Sequence, residues 1–129
     1  MLELTVGLTG KVTSQVEKED TAAEVGSGSL LVFATPCMAA MMEGAACEAI
    51  ADALPEGKTS VGISLDLAHT AATPVGLEVW AEAELTAVEG KILTFQVTAF
   101  DEKGEIGHAT HKRAIVDSQR FLEKAYDKL

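Results

Sequence analysis

Aromatic residues are scarce in this chain of 129 residues, which holds one Trp, one Tyr and four Phe. Its core must therefore rest on Val, Leu, Ile, Ala and Met. Cations are scarce as well: ten Lys and Arg stand against twenty Asp and Glu, a formal charge of −10. So acidic a surface repels phosphate backbones and argues against nucleic acid as the main partner. It still allows a phosphorylated small ligand held by a few local cations. Only two cysteines occur, Cys37 and Cys47. On one helix their spacing separates them by about 15 Å, whereas a disulfide needs Cα atoms within about 7 Å. They read as free thiols in a reducing cytoplasm, with Cys37 a small buried helical residue rather than a nucleophile. No run approaches the roughly 18 apolar residues of a membrane helix. The opening MLELTVGLTGKV lacks the basic and apolar regions of a signal peptide. His108 and His111 point to opposite faces of a strand, and no Cys/His cluster has zinc-ligand spacing, so no metal is expected.

Hydrophobic residues make up 47% and charged residues 23%, enough apolar material for a single domain over residues 1–129. Val12, Ser14 and Val16 alternate within a strand from Lys11 to Glu17. The segment Val25-Gly26-Ser27-Gly28-Ser29 reads as a mobile loop. Thr35-Pro36 is a good helix start, with threonine as N-cap and proline at the first helical position. From Pro36 to about Ala53 the sequence is rich in Ala and Met and has no Lys or Arg. Such a helix is apolar almost all round and belongs in an interior.

Four strands follow, Ser60 to His69, Leu77 to Val88, Lys91 to Phe100 and Glu105 to Val116. Tight turns at Glu89-Gly90 and Asp101 to Gly104 join the last three. A short amphipathic helix from Ser118 to about Lys128 ends the chain. One long helix without a polar face needs a sheet bent round it. The expected class is α+β with a hotdog fold, a curved antiparallel β-sheet wrapped round one long central helix. Another two-layer α+β fold is the alternative. One helix covers only part of such a sheet, which points to a homodimer.

Three residues stand out. Glu43 lies among Met38, Ala39, Met42 and Ala46 on the apolar part of the helix. There it must be paired, protonated or functional, unless it reaches solvent at the helix flank. His69 closes an alternating strand, where a neutral imidazole can act as a base, or simply bond a carbonyl in the core. Thr35 is explained by capping alone. A buried helix N-terminus is nevertheless also a place where backbone N–H groups can stabilise an oxyanion.

The stretches Val32-Phe33-Ala34-Thr35-Pro36, Met42-Glu43, His69-Thr70-Ala71-Ala72-Thr73-Pro74-Val75-Gly76 and Gly107-His108-Ala109-Thr110-His111-Lys112-Arg113 resemble the fluoroacetyl-CoA thioesterase-like family of hotdog proteins. The resemblance spans about residues 7 to 117. It implies hydrolysis of a short-chain acyl-CoA, with Thr35, Glu43 and His69 catalytic. Gly62 would lie near the thioester carbonyl, Phe33 in the substrate site, and Arg113 against CoA. It also implies that no metal or separate cofactor is needed, CoA being part of the substrate. The family's fluoroacetate-specific member has a phenylalanine lid before the catalytic threonine, whereas Val25 to Ser29 here contains no aromatic. Two other readings are a hotdog enoyl-CoA hydratase and a non-catalytic acyl-CoA-binding regulator. The hydratase pattern places Asp five residues before His, and here Asp66 precedes His69 by three. Because Thr35 and Glu43 are about 12 Å apart along a helix, one pocket is expected to combine residues of two protomers.

Overall fold

A computed structural model describes residues 3–129. Its five strands are β1 (Thr9–Gln15), β2 (Lys58–His69), β3 (Glu78–Glu89), β4 (Ile92–Asp101) and β5 (Gly104–Asp117). They form one antiparallel sheet in the order β1-β3-β4-β5-β2. The helices are a short α1 (Ala22–Val25), the central α2 (Thr35–Ile50) and α3 (Ser118–Tyr126). This is the expected hotdog arrangement.

The central helix buries Met38, Met41, Met42, Ala45, Ala46, Ala49 and Ile50. Fully burying a Met or Ile side chain stabilises by about 1.5–3 kcal/mol, so this one helix anchors the core. The sheet meets it with Val79, Ala81, Ala83 and Leu85 of β3 and Leu93, Phe95, Val97 and Ala99 of β4, all buried. Alanines at three of these eight positions let helix and sheet approach closely. β1 comes nearer still: a Cβ on Gly10 would collide with the Ala45 carbonyl and the Ala49 backbone. α2 thus lies mainly over the β1–β3–β4 side. The β2–β5 side is less covered: Leu65, Leu67 and Ile115 are half-buried and Ile63 is 51% exposed. β2 pairs only with β5, so its outer edge is open.

Boundaries differ from the sequence reading in informative places. The helix starts at Thr35, with Ala34 as a cap that supplies no side-chain bond, and ends in a 3-10 turn over Ala51–Ala53. A 3-10 turn (Lys18–Asp20) and α1 precede the Gly/Ser segment, closed by Gly26 at φ 79°. Ala22 and Ala23 N–H groups bond the carbonyls of Val32 and Leu30. The segment is therefore pinned at both ends, which its composition did not disclose. In β2, register slips between Gly62 and Ser64, leaving Ile63 as the extra residue of a bulge.

Because the Gly10 contact is with backbone, Gly10→Ala should destabilise the fold by about 1–3 kcal/mol, the scale of overpacking a filled core. Urea unfolding measures this directly; unchanged stability would mean that β1 does not sit on α2 as described.

Candidate active site

Two groups of polar residues lie along the α2–β2 contact. The first joins the start of the helix to the end of the strand. Thr35 Oγ1 lies 2.8 Å from His69 Nδ1. The threonine hydroxyl is thus engaged with histidine and not with the helix backbone, which corrects its expected role as N-cap. Pro36 has no N–H to satisfy, and no side chain caps the first turn. The N–H groups there remain available to an anion, at the positive end of the helix dipole.

His69 Nε2 is buried and has no hydrogen-bond partner among the described residues. Burial pushes its pKa below the ordinary 6.5, with the Ala71 backbone opposing. A neutral ring with one unsatisfied nitrogen costs free energy unless another molecule completes it. The strand-to-loop junction holding this histidine is fastened on several sides. Thr70 and Ala71 N–H groups bond the Ile106 carbonyl, and Phe33 N–H bonds the Thr73 carbonyl. The buried Thr73 hydroxyl donates to Asp101 at 2.7 Å. Sequence reasoning missed Asp101 and Thr73, because only tertiary packing brings residues 28 positions apart together.

A cavity of about 300 Å³ opens over this pair, lined by Ala22, Ser27, Phe33, Thr35, His69 and Ala72 among others. Phe33 thus meets the pocket, although it is 5% exposed and also belongs to the core. A larger concavity, about 670 Å³, lies over β1, β3, β4 and Glu48. It contains none of the candidate residues, so the chemistry is placed at the smaller one.

The second group surrounds Glu43, two helical turns further on. Its Oε2 accepts from Arg113 Nη1 at 3.2 Å and lies 3.8 Å from His111 Nε2. The Glu43 side chain keeps 42% exposure, so it is at once paired and reachable. Arg113 is buried, and its guanidinium makes four hydrogen bonds. Nε donates to Ser60 Oγ, Nη2 to the Ser60 carbonyl, and Nη1 to Glu43 and His111. Its bonded donors are thus directed at Ser60, His111 and Glu43, and through them Arg113 fixes the Glu43 carboxylate against β2. A buried guanidinium requires such pairing.

His111, weighed in the sequence only as a metal ligand and as part of a family stretch, has its tautomer set by neighbours. Nδ1 lies 2.8 Å from the Ser64 carbonyl, so it carries the proton. Nε2 then accepts from Arg113 at 3.1 Å. Burial lowers its pKa first of all and Arg113 lowers it further, while the Ser64 bond and Glu43 oppose. Gly62 completes the group: a Cβ there would collide with Glu43 Oε2. Glycine is thus what allows the carboxylate against the strand.

Within one chain no hydrogen bond joins Glu43 to the Thr35–His69 pair among the described residues. Cys37 is a poor nucleophile, its thiol pKa raised by burial and by the Asp20 charge. Asp66 is exposed on the strand, while the partner of His69 is Thr35.

With this geometry in hand, comparison with known proteins is specific. The family described as fluoroacetyl-CoA-specific thioesterase, FlK, matches residues 16–119. The fluoroacetyl-CoA thioesterase of Streptantibioticus cattleyicolor is 44% identical over 97 residues, covering 75% of this chain and 70% of that protein. A crystal structure of a FlK point mutant in complex with acetyl-CoA is 36% identical, with a TM-score of 0.91 over 97% of this chain and 98% of the other. A hot-dog-like protein from Thermanaerovibrio acidaminovorans, 22% identical, shares the fold with a TM-score of 0.86 over 96% of this chain and 92% of its own. The chain belongs to the fluoroacetyl-CoA-specific thioesterase family and is a thioester hydrolase of hotdog fold.

Proposed function

We propose that the protein hydrolyses short-chain acyl-CoA at a site made of Thr35 and His69 of one protomer and Glu43 of its partner in a homodimer. The observation carrying this reading is the pair of incomplete half-sites on a single chain. One is a pocket with an unsatisfied His69 Nε2. The other is a reachable carboxylate beside the open edge of β2. An unpaired strand edge flanked by half-buried Leu65 and Leu67 and exposed Ile63 is a template for a second copy. Antiparallel pairing of two β2 edges runs the Gly62 region of one past the His69 end of the other.

Thioester cleavage needs attack on the carbonyl carbon, stabilisation of the oxyanion and departure of the thiolate. Glu43 either attacks the carbonyl, giving an anhydride, or takes a proton from the attacking water. Arg113 and His111 hold the carboxylate in place from behind. The uncapped N–H groups at the start of α2 and the Gly62 N–H serve the oxyanion. His69, positioned by Thr35, starts neutral, receives a proton released by the attacking water and passes it to the leaving thiolate. No aromatic side chain occurs between Val25 and Ser29. Small acyl groups therefore enter with little selection for fluorine.

Removing a participating acid or base typically lowers the rate by about 100- to 10,000-fold. Glu43→Gln and His69→Ala should each lose activity on that scale, and Thr35→Ser should retain more than Thr35→Ala. A thiol-release assay with acetyl-CoA reads all four, and full activity in both Glu43→Gln and His69→Ala would refute the site. Since His69 works as a neutral ring and burial lowers its pKa, the acid limb of kcat/KM should be centred below 6.5. A fall already centred above 6.5 would contradict that environment. Fluoroacetyl-CoA and acetyl-CoA should be cleaved with similar kcat/KM, and a large preference for the fluorinated substrate would place discrimination elsewhere.

A further inference from the structure

With Arg113 turned inward, the pocket of this strongly acidic chain has no cation of its own for CoA's phosphates. No Lys or Arg lines it. The segment leading into it carries Glu17, Glu19, Asp20 and Glu24, and its one cation, Lys18, sits 3.5 Å from Glu24. Three of the ten Lys and Arg residues are instead gathered in the last ten positions, Arg120, Lys124 and Lys128. All three are exposed, and no ion pair engages them among the described residues. Arg120 and Lys124 are four apart on α3 and so lie one above the other. Phe121, Leu122 and Tyr126 present an exposed apolar side of the same helix.

The place of α3 in the fold gives this stripe a use. It leaves β5 at Asp117, which pairs with Lys58 at the start of β2, and Ser118 N–H bonds the Gly57 carbonyl. Lys58 and Arg120 both act on the Asp117 carboxylate, whose pKa is lowered first by the Arg120 backbone N–H it accepts and further by these two charges. The cations therefore collect at the Lys58 end of the open edge. Now consider two β2 edges paired antiparallel. The register that sets Gly62 opposite Ala68 brings Glu43 towards the other protomer's His69. Lys58 lies four residues before Gly62, so it then falls beside Ala72 of the other protomer, a residue that lines the pocket. α3 is carried to the same place.

We infer that the exposed basic stripe of α3, Arg120 and Lys124, with Lys128 just beyond the helix and Lys58 beside it, binds the phosphates of the CoA whose thioester lies in the partner protomer's Thr35–His69 pocket. The inference rests on the composite site proposed above. Phe121, Leu122 and Tyr126 on α3 and Val25, Leu30 and Leu31 by the pocket are all exposed, so the two apolar surfaces can cover one another across such a dimer, and the acidic segment around the pocket attracts the basic helix. Each substrate is then held at its acyl end by one chain and at its nucleotide end by the other.

The test compares acetyl-CoA with acetyl-pantetheine, which lacks the nucleotide phosphates, in Arg120→Gln/Lys124→Gln. Both changes are on an exposed helix and keep its propensity. KM for acetyl-CoA should rise roughly three- to tenfold, the scale of two solvent-screened ion pairs. KM for acetyl-pantetheine should not move, and the difference should shrink at high salt. A charge-matched control, Lys11→Gln/Lys112→Gln, separates local binding from a change in net charge. Mixed dimers then assign the chain. A protomer carrying both His69→Ala and the α3 changes, paired with an unmodified one, should show the raised KM. Carrying the two sets of changes on opposite protomers should restore the normal value. An intact dimer by light scattering with equal KM shifts for both substrates overturns the phosphate role alone. The raised KM following the pocket's own chain overturns the cross-protomer placement. A monomer that turns over normally overturns the composite site as well.

Discussion

A helix of sixteen residues with two carboxylates and no cation must be taken out of water, and the rest of the fold follows from that need. The sheet encloses α2 with alanines where it must come close and with Gly10 where β1 lies directly on the helix backbone. The same enclosure decides the fate of the two carboxylates. Glu48 stays exposed. Glu43 meets β2 and β5, where an inward guanidinium, an inward imidazole and a residue without a side chain are waiting for it.

Charge in this protein is arranged at two depths. Arg113 is buried and spent on fixing one carboxylate, a role that demands planar, multiple donors and would not suit lysine. Arg120, Lys124 and Lys128, by contrast, are exposed and engaged in no ion pair among the described residues. His69 is likewise set apart from His111. Both rings are kept neutral mainly by burial, but His111 is satisfied on both nitrogens whereas His69 leaves one unmet. An unsatisfied nitrogen beside an open pocket is where substrate, water or a second protomer has something to add.

Much of this was legible in the residues. Alternation in Val79 to Leu85 and in Leu93 to Ala99, glycine at the β3–β4 turn and the unbroken apolar stretch after Pro36 fixed element type and order, because periodicity reflects which side is buried. The family motifs singled out Thr35, Glu43 and His69 at their correct places on helix and strand. The sequence by itself therefore determined the hotdog class and the candidate chemistry. Only the tertiary structure decided how those groups are used. It gave Thr35 to His69 instead of to the helix cap, turned Arg113 inward, brought His111 and Asp101 into supporting roles, and separated Glu43 from the histidine within one chain. The reason is physical: periodicity reports the face on which a side chain lies, whereas hydrogen-bond partners depend on the register between strands distant in sequence, which no local pattern carries.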